Sequence, residues 1–174
     1  MKSLTLVVLA SALSAVSLFA QDNKPRVSPH DTVSVALGTQ TITITYGRPY
    51  LKGRQVGKEV APYGEVWRTG ADEATTLNTT AAITIGDLQV PAGEYALFTL
   101  PTAKGWTLII NKTAKQWGAF KYQESQDLGR TKMKVTKHAP VEQFTIALDK
   151  KSDKEAQLVL SWGTTTASTK IKLP

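Results

Sequence analysis

The stretch Thr32-Val33-Ser34-Val35-Ala36-Leu37-Gly38-Thr39-Gln40-Thr41-Ile42-Thr43-Ile44-Thr45-Tyr46 alternates polar and apolar residues on both sides of one glycine-centred turn. A period of two sends successive side chains to opposite faces of an extended chain. The stretch therefore predicts two half-buried strands, with Ile42, Ile44 and Tyr46 on one face of the second. The pattern recurs further along. Ala82-Ile83-Thr84-Ile85, Gly86-Asp87 and Leu88-Gln89-Val90 read as a hairpin. Pro91-Ala92-Gly93 turns into Glu94 to Leu100, and Trp106 to Asn111 follows as its partner. Four later strands are expected, over Thr131–Lys137, Gln143–Leu148, Gln157–Trp162 and Thr166–Leu173. Many short strands with Gly and Pro turns, and threonine throughout, predict an all-β fold: an antiparallel β-sandwich, jelly-roll-like or barrel-like, in a single domain. No helix of consequence is expected after the N-terminal segment.

That segment carries an address. Met1-Lys2 is a short positive start, Leu4 to Ala20 is uncharged and rich in Leu, Val and Ala, and polar residues follow from Gln21. This is the pattern of a secretory signal peptide, with cleavage after about Ala20. The expected organisation is a signal peptide over 1–20, a loose leader over 21–27 and one β domain over 28–174. Gln21 stands where a bacterial lipoprotein would need cysteine, so no lipid anchor is expected. The chain has no cysteine at all, which removes disulfides, Cys-based metal sites and Cys nucleophiles. A domain this long can stand on its core without them. These features point to an exported bacterial protein, periplasmic or extracellular, with no membrane span in the mature chain.

The net charge is +7. Much of the excess lies between Lys112 and Lys137, where Lys112, Lys115, Lys121, Arg130, Lys132, Lys134 and Lys137 outnumber Glu124 and Asp127. A basic face can attract anionic polymers, or it can be a solvated lysine face that discourages edge-to-edge strand pairing. Export argues against nucleic acid. Within the same region, Thr113 to Gly129 is the longest break in the strand pattern. Its Trp117, Phe120 and Tyr122 either meet a ligand or fold back to cap the sandwich.

The candidate site lies between Ile42 and Thr75, which holds three of the chain's five arginines: Arg48, Arg54 and Arg68. Its centre, Val66-Trp67-Arg68-Thr69-Gly70-Ala71-Asp72-Glu73, sets Trp and Arg close to two carboxylates across a glycine. The planar donor fork of arginine suits carboxylates, phosphates and aromatic faces. One reading is a ligand site built from Arg48, Arg54, Trp67, Arg68, Asp72 and Glu73. The other is a structural clamp, in which Arg68 pairs with Asp72 or Glu73 and Trp67 is core. Catalytic signatures are weak. Only His30 and His138 could act as imidazole bases, no nucleophile elbow occurs, and Asp72 and Glu73 would face opposite sides of a strand. No catalytic residues, metal ligands or cofactor motif are assigned. Gly53-Arg54-Gln55-Val56-Gly57-Lys58 lacks the spacing and hydroxyl of a phosphate loop.

Several strings resemble a known family: Ser28-Pro29, Tyr46-Gly47-Arg48-Pro49, Lys52-Gly53-Arg54, Pro62-Tyr63-Gly64, Val66 to Thr75, Pro91-Ala92-Gly93-Glu94-Tyr95 and Trp106 to Asn111. Together they resemble the secreted bacterial family catalogued as domain of unknown function 2911, from about Ser28 to Leu173. The resemblance implies an exported, mostly β domain and brings no established activity, substrate or cofactor. The expected function is a non-catalytic binding module for a small polar ligand, sugar or anion. An envelope structural or interaction protein, holding a cell-envelope component, comes second. A hydrolase acting on envelope or scavenged polymers comes third.

Overall fold

The alternating stretch forms strand β1, His30–Leu37, and strand β2, Gln40–Gly47, paired antiparallel with Val33 opposite Ile44 and Val35 opposite Ile42. The computed structural model describes residues 26–174. The expected signal peptide and all of the leader before Arg26 lie outside the described residues. Ile42, Ile44 and Tyr46 are buried on one face, as their period of two requires. Burial of each such side chain contributes about 1.5–3 kcal/mol.

The remaining strands are β3 (Thr75–Thr79), β4 (Ile83–Ile85), β5 (Leu88–Val90), β6 (Gly93–Thr102), β7 (Gly105–Asn111), β8 (Asp127–Lys150) and β9 (Glu155–Lys172). All neighbours are antiparallel, in the order β1-β2-β3-β6-β7-β8-β9-β4-β5. The domain is thus an essentially all-β, nine-stranded antiparallel sheet folded over one main core. The regular ladder runs from β1 to β5, and no ladder pairing joins these two strands among the described residues. Its helical content among the described residues is one 3-10 turn, Glu124–Gln126.

Two expectations are corrected here. The four strands expected after Thr131 are two long ones. β8 bends without breaking, with register shifts between Lys137 and Val141 and again between Val141 and Thr145. β9 passes opposite through Gly163, at φ +56°, a left-handed conformation that only glycine adopts without cost. Bulges of this kind bend a strand while keeping it one strand, so turn-like residues inside it look like a boundary. β3 was hidden because it follows directly on the Arg68 segment and is only five residues long.

The bend brings β8 beside β1, and backbone and side-chain bonds from the end of β2 and the loop after it close that seam. Phe144 N–H donates to Pro49 O (2.9 Å) and Leu51 N–H to Glu142 O (2.9 Å). Ile146 N–H donates to the Tyr46 hydroxyl at 2.9 Å. Arg48 Nε donates to Phe144 O at 3.3 Å. Buried backbone groups left unpaired would each cost about 1–3 kcal/mol, so Tyr46 and Arg48 complete what the ladder leaves open.

The core shows why Tyr95-Ala96-Leu97-Phe98 does not alternate. Tyr95 and Leu97 face the main core, whereas Ala96 and Phe98 face a smaller cluster with Ala74 and Ile109. Tyr122 and Ala119 pack on that second cluster. The loop between β7 and β8 therefore covers the outer face of β6 and β7, and β6 is buried on both sides.

Candidate functional site

Trp67 pairs with Thr99 of β6 through two backbone hydrogen bonds, 2.8 and 2.9 Å. Thr75 pairs with Leu97 on the same strand. Residues 68–74 are thus an excursion spliced between two pairing points on β6. Thr75 N–H donates to Arg68 O at 3.1 Å and closes its neck. Buried hydroxyls lock it: Thr75 Oγ1 donates to Thr69 O at 2.7 Å, and Thr69 Oγ1 to Thr99 Oγ1 at 3.2 Å. The excursion also packs against the end of β2. A Cβ on Gly47 would lie 2.3 Å from Ala71 O, so only glycine allows this approach. Thr69 and Asp72 both adopt positive φ, +55° and +63°. For a β-branched residue such as Thr69 this conformation is uncommon and costs of order 1–3 kcal/mol.

The left-handed turn at Asp72 corrects the expectation for the acidic pair. Asp72 and Glu73 do not face opposite sides. His30 Nε2 lies 3.4 Å from Asp72 Oδ2 and 3.4 Å from Glu73 Oε2. Ser28 N–H donates to Asp72 Oδ2 at 3.3 Å. Arg26, placed by the sequence in the leader, donates to Glu73 Oε1 from Nε at 3.0 Å and from Nη2 at 2.8 Å. Burial pushes the Glu73 carboxyl up. Arg26, the residue's own backbone N–H and His30 outweigh this and hold it below the usual carboxylate range.

Of the clamp reading, Trp67 in the core is observed and the ion pair is not. No ion pair among the described residues joins Arg68 to Asp72 or Glu73, whose carboxylates go to His30 and Arg26. Arg68 Nε is buried with no hydrogen-bond partner among the described residues. Burial pulls the guanidinium below its usual value, and the Asp72 charge opposes this only in part. Arg68 Nη1 lies under Gly118 of the β7–β8 loop, 3.7 Å from where a Cβ would sit. That loop runs beside the excursion: Ala74 N–H donates to Gln116 O at 2.9 Å and Gly118 N–H to Asp72 O at 3.0 Å. Gln116 Oε1 is a second buried polar atom without a partner among the described residues.

The loop aromatics divide. Tyr122 folds back edge-on to Phe98, with ring centroids 5.1 Å apart. It donates to Asp127 Oδ2 at 2.8 Å and accepts from Arg130 Nη2 at 2.8 Å. Burial, then Asp127, pushes its hydroxyl up to about 12. Trp117 bridges to Glu73 through its backbone. Phe120 stands 84% exposed beside Gly118.

The other candidates lie elsewhere. Trp67 is 8% exposed. It stacks on Trp162 at 5.5 Å and meets Phe144 and Trp106 edge-on, so it anchors the excursion in the core. Arg48 is occupied at the seam by Asp31 Oδ2 (3.1 Å), Phe144 O and Thr145 Oγ1 (3.1 Å). Arg54 donates to Leu51 O (2.9 Å) and Tyr50 O (2.8 Å) in its own loop. The six candidates therefore separate: Arg68, Asp72 and Glu73 share one site, with Trp67 beneath them. Sequence reasoning missed Arg26 and Gln116 there, which carry no motif. It noted His30 only as one of two possible imidazole bases, and no local signal aims it at Asp72.

Among the described residues no group of three His, Cys, Asp or Glu could hold a metal ion, and no helix is long and apolar enough to cross a membrane. A family model described as "Protein of unknown function (DUF2911)" matches residues 28–171. No curated protein and no solved structure matches the chain.

Proposed function

We propose that this chain, which belongs to the DUF2911 family of proteins of unknown function, is a non-catalytic binding module that receives a small carboxylate, such as an acidic sugar, on Arg68. The observation that carries the reading is the buried Arg68 Nε, which has no partner among the described residues, beside acids already engaged by Arg26 and His30. A buried donor left unmade costs about 1–3 kcal/mol, and a buried charge is normally paired. An incoming carboxylate would satisfy both demands through the bidentate geometry that arginine favours. The costly φ at Thr69 fits a loop shaped for binding rather than for stability alone. The uncharged run before Gln21 supports an exported site of action, in the periplasm or outside the cell.

The test is calorimetric titration of the purified protein with galacturonate, glucuronate and acetate, with uncharged galactose as control. The expected result is saturable binding of a uronate and none of galactose. Arg68→Lys should weaken it by about tenfold or more, because the planar fork is lost. If Arg68→Met binds the uronate as wild type does, or no acid binds at all, the assignment is wrong.

A further inference from the structure

A cavity of about 390 Å³ opens where β8 and β9 bend, and no residue of the Arg68 excursion lines it. Its origin is the double register shift in β8 around Val141, which splays the two strands. The loop after β2 lies across the gap. Leu51 and Val56 approach Gly163 and form an apolar side: a Cβ there would meet Val56 Cγ2 at 3.4 Å and Leu51 Cδ1 at 3.8 Å.

The polar lining has one sign. Arg54 and Lys137 are its cations, Thr164 and Thr165 bring hydroxyls, and no Asp or Glu lines it. Two backbone carbonyls hold Arg54 Nε and Nη2 at 2.9 and 2.8 Å. Its guanidinium is thus positioned while the Nη1 donors have no recorded partner among the described residues. Lys137 Nζ lies 3.4 Å from Thr165 Oγ1. Neither cation forms an ion pair among the described residues. The nearby Glu59 carboxylate accepts from Gln55 N–H at 2.9 Å and is tied to that loop.

We propose that this cavity is a second binding site, for the phosphate group of a small phosphorylated ligand. Two cations match a dianion, whereas a single carboxylate would leave one of them unmatched. The arginine fork can take two oxygens side by side, the lysine acts as a point charge, and the hydroxyls add donors. The volume suits a ligand of sugar-phosphate size, and the apolar side formed by Leu51 and Val56 suits a carbon skeleton beyond the phosphate. The site is independent of Arg68, which does not line it.

The experiment is calorimetric titration of the purified protein, at low salt, with glucose 6-phosphate, inorganic sulfate, succinate and glucose. Glucose 6-phosphate is expected to bind one to one, and glucose not at all. Lys137→Ala, at an exposed position that leaves the Arg54 loop intact, should weaken binding by about tenfold, and Arg54→Ala by at least as much. Arg68→Met should leave this affinity within about twofold while abolishing uronate binding, so the two sites fail separately. Three results would overturn the proposal: no saturation below about 10 mM ester, Lys137→Ala and Arg54→Ala binding as wild type does, or sulfate or succinate binding as tightly as the ester.

Discussion

Arg48 and Arg68 sit at the two ends of one chain segment, beside glycines that touch across it, yet they do opposite things. Arg48 spends its guanidinium on Asp31, Phe144 O and Thr145, and closes a seam that the β ladder leaves open. Arg68 is drawn under the β7–β8 loop, and among the described residues its buried Nε has no hydrogen-bond partner and it forms no ion pair. The first arginine is part of the fold. The second is held under a loop without the partners that Arg48 has. Partner atoms separate the two roles, because a satisfied buried charge stabilises its surroundings and an unsatisfied one works against them.

That contrast can be broken by measurement. Arg48→Met should cost about 2–3 kcal/mol of unfolding free energy, since it removes charged hydrogen bonds and strands a carbonyl. Urea denaturation with an unchanged slope would show it. If the loss is under about 0.5 kcal/mol, as at positions without structural duty, the seam does not depend on Arg48.

Arg68→Met should leave stability unchanged or raise it by up to about 1 kcal/mol, because an apolar side chain of similar size replaces an unpartnered charge. A loss of more than about 2 kcal/mol would make Arg68 a clamp after all and erase the difference from Arg48.

The smallest effect concerns the rim of the Arg68 site. The Glu73 carboxyl is held below its ordinary value of 4.5. Its contribution is therefore present above pH 4.5 and is lost as the pH falls through the lowered folded value. The group is partly exposed and its partner Arg26 is solvent-facing, so the effect is screened and small. Unfolding of Glu73→Gln compared with wild type at pH 7 and pH 3 should show a gap at pH 7 that closes at pH 3. A gap of equal size at both values would show that the Arg26–Glu73 pair carries none of it.

Much of the fold was legible because alternation is local. The β1–β2 pair, the Gly86-Asp87 hairpin and the turn at Pro91 to Gly93 follow from period and turn chemistry. β8 and β9 were read as four strands because a bulge and a turn share the same residues, and only a partner strand tells them apart. The site was legible in its centre, where Trp67, Arg68, Asp72 and Glu73 stand together. Their roles were not legible. The carboxylates turn to His30 and Arg26, more than forty residues away, and a positive φ at Asp72 swings both to one side.

By itself, the sequence determined an all-β chain, its main turns, its lack of cysteine chemistry and the segment where arginine and acid cluster. These rest on interactions between residues near each other along the chain. Only the tertiary structure decided which arginine is satisfied, because hydrogen-bond partners are set by what folding brings together. Trp67 went to the core, Arg48 to the seam and Arg54 to a separate cavity. Arg68 was left to its loop because packing placed its two nearest acids against His30 and Arg26.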